Sequence, residues 1–378
     1  MTSMVFTLAL RNLIHDRVRF LVTLVGVVFS IVLVSIQFGL YKGTEAKILA
    51  VLDNTRADLW VTAKEAPAFD DAALLDGREE YAALAVDGVD RVETLLAMFG
   101  RWKRPNGGIT TTLLVGIHTD RDVVTPWNMV AGNVADLKLP DSVIVDRAYA
   151  DKLGVSSLGA TAEIRDQSVR VVGLTEGIRS FTTLPIVFTS NDTMRALMGI
   201  PGDRATFVQI HVKPGADVSA VQSALATKLP NADVLTDAQF RNRSVNHWMF
   251  GTGAGAALIM GAVLGLIVGM VIVAQTLYAS ANDHINEFAT LRALGSSSGY
   301  IHKVILWQAV LSAGIGFAIA IGMAYAVAAL LADTSLQVLI SAHMAALIFG
   351  ITVVMCVVSA ISAIVKVTRI DPAMVFNR

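Results

Sequence analysis

Side-chain catalysis needs particular residue types at particular spacings, and the middle of this sequence offers few of them. His118, His211 and His247 are the imidazoles that could ligate a metal or move a proton, yet they stand far apart. None lies in an HxxxH or HExxH arrangement, the spacing that brings two rings to one helix face. They read as packing or surface residues. The paired acids Asp70-Asp71 and Glu79-Glu80 have the chemistry of a general acid–base couple. They fall in polar loop and helix surface, where a solvated face accounts for them. The single cysteine, Cys356, sits inside an apolar run and can build neither a disulfide framework nor a cysteine metal site. There is no G-x-S-x-G elbow and no G-x-x-x-x-G-K-S/T loop to cradle a phosphate. The expectation is a chain that is not an enzyme, with no catalytic residues, no metal and no cofactor of its own.

What the chain has instead is apolar spacing. Of its 378 residues, 54% are hydrophobic and only 16% charged, against about 25% charged in an ordinary soluble domain. A net charge of −1 gives no reason to expect a nucleic-acid partner. Four runs, 20–40, 254–279, 304–332 and 344–365, contain no Asp, Glu, Lys or Arg. Each reaches the ~20 residues needed to cross ~30 Å of hydrocarbon. The first run exceeds the ~7–15-residue core of a signal peptide, and no small-x-small cleavage site follows it promptly, so it is expected to be an uncleaved anchor.

Lysine and arginine set the orientation. Arg11, Arg17 and Arg19 precede the first run; Arg292 and Lys303 lie in the loop 280–303; Lys366, Arg369 and Arg378 lie in the tail. The other short loop, 333–343, has none. Both termini and the 280–303 loop are therefore expected in the cytoplasm, with the lipid bilayer of the inner membrane around the spans. The implied division begins with a cytoplasmic interfacial helix at 1–19, where Val5, Phe6, Leu8, Leu10, Leu13 and Ile14 alternate with Arg11 and His15. Spans follow at 20–40, 251–279, 304–332 and 344–365. A periplasmic domain with its stalk fills 41–250, a cytoplasmic loop 280–303, a short periplasmic loop 333–343 and a cytoplasmic tail 366–378.

Across 41–250 the period changes to that of a mixed domain. Strands are expected at 57–62, 142–145, 162–165, 169–174 and 185–189, and a hairpin at 92–103 and 109–117 turning through Pro105-Asn106-Gly107-Gly108. Helices are expected at 147–153 and 191–198, and a strand–helix–strand unit closes the domain from 208 to 235. The fold class is thus a membrane protein of four transmembrane α-helices with a large α+β extracytoplasmic domain between the first and second.

Two mechanical features stand at the ends of the second span. Between Pro230 and Gly251 there is neither glycine nor proline, and Phe240, Ser244 and Trp248 fall four apart, so the segment can run as a stiff stalk. Gly251, Gly253 and Gly255 then follow within five residues, each costing about 1 kcal/mol in a helix relative to alanine. They make either a hinge or a close-packing surface, and the residues alone leave both open. Further on, Gly261, Gly265 and Gly269 recur four apart, with Ala257 extending the row; Gly314, Ala318 and Gly322 repeat the pattern in the third span. Small residues at that spacing let two helix backbones approach.

Past the second span, the cytoplasmic loop reads as a helix with Asp283 and Glu287 near its start, Arg292 near its end and Gly295 as cap. Ile285, Phe288, Leu291 and Leu294 form an apolar stripe, which a partner protein or the inner leaflet would cover.

The stretch VIVAQTLYASANDHINEFATLRALG at 271–295 resembles the coupling region of the MacB/FtsX superfamily of ABC transporter permeases, also called type VII. The resemblance covers nearly the whole chain, including the closing RIDPAMVFNR. GAGAAL at 253–258 and SFTTLPIVFTS at 180–190 are most similar to the DevC subgroup. In that family the loop helix sits in a groove of the ATPase, which implies that role for Glu287, Phe288, Thr290, Leu291, Arg292, Ala293, Leu294 and Gly295. The resemblance further implies a homodimeric permease, a separate ATPase subunit that binds ATP and Mg, an HlyD-like periplasmic adaptor, an outer-membrane channel, and a lipid or other amphipathic cargo. An FtsX-like regulator of a cell-wall hydrolase and a LolC/LolE-like lipoprotein-releasing permease are the alternatives.

Overall fold

A computed structural model of the chain describes residues 2–120, 124–285, 287, 290, 298–332, 334 and 336–368. It divides into two compact units, one formed by Met1–Gly43 with Gly255–Arg378, the other by Thr44–Ala254.

The first unit is helical. Four helices are long and apolar enough to cross a membrane: Arg17–Ile48, Ala254–Asp283, His302–Leu331 and Ala342–Val365, of 32, 30, 30 and 24 residues. The first starts before the apolar run 20–40 and continues past it to Ile48. Helix bonds close within the segment, so a polar continuation such as Lys42–Lys47 leaves no backbone group unsatisfied. The helices meet on their small residues. Ala309, Ala313, Ala320, Cys356 and Ala360 are fully buried with Val27, Val273 and Ile305. Two hydroxyls bond across helices: Ser30 Oγ donates to the Gly265 carbonyl at 2.8 Å and Ser359 Oγ to that of Met270 at 3.0 Å. The leading helix, Thr2–His15, puts Val5 and Ala9 against Val304 and sets the Phe6 ring edge-on to Trp307 at 5.5 Å. The apolar side expected to lie along a leaflet is thus partly covered by protein.

The second unit has ten strands: β1 Leu59–Ala63, β2 Val89–Lys103, β3 Ile109–Ile117, β4 Met129–Gly132, β5 Ser142–Asp146, β6 Thr161–Ile164, β7 Gln167–Thr175, β8 Ile186–Ser190, β9 Phe207–Val212 and β10 Ala232–Thr236. They form two halves that share β2. In the first, β10, β1, β9 and the start of β2 lie antiparallel in that order. Helix Glu79–Leu84 joins β1 to β2 and helix Val218–Lys228 joins β9 to β10, giving the split βαβ plan. Both helices cover one face, burying Val61, Val92, Val208, Ile210, Val221 and Leu225.

The second half is inserted between β2 and β9. The later residues of β2 pair with β3, β3 with β8, β8 with β5, β5 with β7, β7 with β6, and β6 again with β2. Six strands therefore close on themselves, and closure removes the exposed edges that an open sheet would carry. Leu96, Trp102, Leu114, Val143, Val171 and Val187 fill the interior, with Trp102 Nε1 donating to the Leu153 carbonyl at 2.9 Å. The hairpin turn between β2 and β3 uses Gly107 and Gly108 at φ +81° and +84°, a region that glycine enters without a Cβ clash. A shared core containing Trp60, Leu95, Val115, Phe188, Phe207 and Phe240 joins the two halves.

Candidate functional site

The glycine row of the second spanning helix packs against the first. A Cβ added at Gly261 would stand 2.5 Å from the Gln37 side chain, at Gly265 3.0 Å from Leu33, and at Gly269 2.4 Å from Ser30. These contacts step back along the first helix a turn at a time, as antiparallel neighbours must. Gly314 and Gly322 behave otherwise: nothing lies within 4 Å of a Cβ at either, so no described helix of this chain packs on them. Gly316 takes that place, with Val27 2.5 Å away. It lies two residues, about 200°, round the helix from Gly314, so the contact within this chain and the row at 314 and 322 are on different faces of the helix.

At the other end of the second spanning helix, Asp283 is its last residue. Arg19 Nη2 reaches Asp283 Oδ2 at 2.5 Å and Arg19 Nη1 reaches Asp16 Oδ2 at 3.0 Å. One guanidinium thereby ties the root of the loop between the second and third spanning helices to the start of the first. The pair is half-exposed and contributes at most about 1 kcal/mol; its value is positional. Beyond it His284 Nδ1 faces Glu287 Oε2 at 3.1 Å. Of the expected coupling residues, Glu287 and Thr290 are described, while Phe288, Leu291, Arg292, Ala293, Leu294 and Gly295 lie outside the described residues.

Within the outer unit, the expected stalk is shorter than its sequence allows, because 232–236 is spent on β10. Helix Asp237–Asn246 begins there with a capping box: Thr236 Oγ1 accepts from Gln239 N–H at 3.2 Å, and Gln239 Oε1 accepts from Thr236 N–H at 2.9 Å. The helix is fastened along its length. Phe240 is fully buried, 5.2 Å from the Trp60 ring and 5.5 Å from Phe207. Arg241 bonds Asp237, Asp53 and the Leu52 carbonyl, and Arg243 bonds Asp233 at 2.6 Å.

The helix then widens. His247–Gly251 forms a π turn, one residue longer per turn than α, a form that recurs at functional sites. Trp248 Nε1 donates to Asp70 Oδ1 at 2.8 Å and its ring meets Phe181 at 5.4 Å. Burial pushes the Asp70 carboxyl above the ordinary range, the indole N–H opposes this, and Asp71 adds to it. Thr252 Oγ1 caps the turn on the Trp248 carbonyl at 2.5 Å, and a new helix starts at Ala254. Of the three candidate hinge glycines, Gly253 alone has positive φ, +80°, and forms the break. Gly251 ends the π turn and Gly255 is helical.

The histidines are dispersed: His118 Nε2 lies 3.1 Å from Thr94 Oγ1, burial lowers the pKa of His211, and His247 sits 3.9 Å from Asp71. Among the described residues no three His, Cys, Asp or Glu are grouped to hold a metal ion.

Comparison with known proteins accords with this arrangement. The family profile of the MacB-like periplasmic core domain matches residues 20–228, more than half of the chain, and that of the FtsX-like permease C-terminal region matches residues 259–372. The chain is 22% identical to the macrolide export ATP-binding/permease protein MacB of Escherichia coli, and equally to MacB 2 of Escherichia coli O1:K1 / APEC. Each alignment covers 97% of this chain but 59% of the relative, so the chain spans about three-fifths of their length. Among solved structures it is similar to the periplasmic region of MacB from Actinobacillus actinomycetemcomitans, with TM-score 0.38 and 12% identity over 52% of this chain and 96% of that one. It is also similar to the extracellular domain of the ABC-type transporter YknZ from Gram-positive bacteria, with TM-score 0.35 and 15% identity over 48% and 99%. With four spanning helices and an α+β domain after the first, the protein is a multi-pass inner-membrane protein, and it belongs to the MacB/FtsX-type family of ABC transporter permeases.

Proposed function

We propose that this chain is the membrane subunit through which a separate ATPase drives the outer domain, in a homodimer that exports a lipid or other amphipathic cargo. The observation that carries the reading is the order of parts: an α+β domain inserted after the first of four spanning helices, and a loop between the second and third rooted on the Arg19–Asp283 pair. Such a chain can deliver force across a bilayer without a substrate path between its spans. ATP and Mg belong to the partner ATPase, since no phosphate-binding loop occurs in this sequence. The E. coli relatives carry both macrolide export and ATP-binding/permease functions in their names, and this chain aligns with 59% of their length. The similarity of 253–258 and 180–190 to the DevC subgroup supports amphipathic cargo, an HlyD-like adaptor and an outer-membrane channel.

This reading requires the ATPase-facing loop and the outer domain to lie on opposite sides of the membrane. In a Cys356→Ser background, single cysteines at Ser156 and Asp333 react with an impermeant maleimide in intact spheroplasts, and one at Ser297 reacts only after lysis. Labelling of position 297 from outside would reverse the orientation and remove the ATPase from the account.

A further inference from the structure

The segment that leads from the outer domain toward the second spanning helix touches both halves of that domain through one side chain. Trp248 donates its indole N–H to Asp70, in the loop that follows β1 of the four-stranded half. The same ring lies against Phe181, in the loop between β7 and β8 of the closed half. The flanking residues add to the grip: His247 stands edge-on to Trp248 at 5.0 Å, and Met249 is fully buried. The backbone under these contacts is a π turn that ends at Gly251 and is followed by Thr252 and Gly253. A π turn holds an extra residue at a cost in packing along its axis, so it persists where surrounding contacts fix it. Those contacts here come from Asp70 and Phe181.

We propose that Trp248 is a pin, fastening the π turn to both halves of the outer domain and leaving Thr252 and Gly253 as the place where the chain can change direction. Force arriving along the second spanning helix then enters the outer domain at one defined residue and is shared by both halves. The pin itself follows from the contacts around Trp248; only its part in a transport stroke rests on the permease reading.

The test uses the full chain in lipid nanodiscs and needs neither ATPase nor cargo. Met249→Cys, in a Cys356→Ser background, places a buried thiol in the π turn, and its rate of reaction with a maleimide reports how often the turn opens. Trp248→Phe keeps a ring against Phe181 but removes the bond to Asp70, and should speed labelling about tenfold, the scale of a lost charge-assisted hydrogen bond. Phe181→Ala removes the other grip and should speed it several-fold. Trp248→Ala removes both and should exceed either single variant. A second reporter, Val187→Cys inside the closed barrel, must stay protected throughout. Equal labelling of position 249 in all variants would overturn the pin while leaving the permease reading intact. Labelling of positions 249 and 187 together would also overturn it, by showing that Trp248 serves general stability instead.

Discussion

Leu291→Asp in the cytoplasmic loop is expected to abolish association with the ATPase while the chain still inserts and dimerises. Ile285, Phe288, Leu291 and Leu294 recur three apart, at helical spacing, and leave an apolar stripe on the segment. If that stripe seats in a partner's groove, an aspartate at its centre buries a charge with no counterion. Breaking the pairing of a buried charge costs about 3–5 kcal/mol, a loss of more than a hundredfold in affinity. Copurification from detergent and the stimulation of ATP hydrolysis are the two readouts, and both should disappear. A variant that retains full association and turnover would place the stripe on the inner leaflet, where a single charge can reach the headgroups.

The second large effect is expected at the break between the two helices. Gly253 sits at φ +80° with nothing within 4 Å of a Cβ, so alanine there meets no steric obstacle and is penalised by the backbone alone. Left-handed geometry costs a non-glycine residue roughly 1–2 kcal/mol. A Cβ at Gly251 would make only an ordinary contact, its nearest neighbour being His247 Nδ1 at 3.8 Å. The double variant Gly251→Ala, Gly253→Ala therefore penalises the break without crowding any described neighbour. Assembly and ATP hydrolysis should remain near normal and export should be lost. Export at the wild-type rate would remove the hinge. Dissociation of the dimer would show instead that these glycines serve close packing between copies.

Much of the architecture was legible in the sequence because it rests on local signals. Four uncharged runs of spanning length need no tertiary information, and the β2–β3 hairpin announced itself through Pro105-Asn106-Gly107-Gly108. The glycine row at 261, 265 and 269 was legible too, since Gly269 cannot carry a side chain beside Ser30. Its counterpart at 314 and 322 meets no described helix of this chain, because spacing alone does not say which neighbour a small-residue face serves. Other features are non-local. The barrel closes where β6 meets β2 at only two residue pairs, Trp102 with Ile164 and Lys103 with Glu163. Arg19 finds Asp283 across 264 positions. The break between the two helices could be placed only within five residues until Gly253 was distinguished by its backbone angle, and Trp248 looked like one more apolar position of a stalk until Asp70 was found against its indole nitrogen.

The central claim is that motion begun at the ATPase reaches the outer domain, and the most direct measurement is of that motion. A spin label on Ser219→Cys, an exposed position of helix Val218–Lys228, in a Cys356→Ser background, gives the distance between the outer domains of the two copies in nanodiscs carrying the ATPase. The account predicts a distance that shifts by several ångströms when ATP and vanadate trap the closed ATPase, and that stays fixed in the Gly251→Ala, Gly253→Ala variant. An unchanged distance in the wild-type complex, with nucleotide hydrolysis intact, would contradict it.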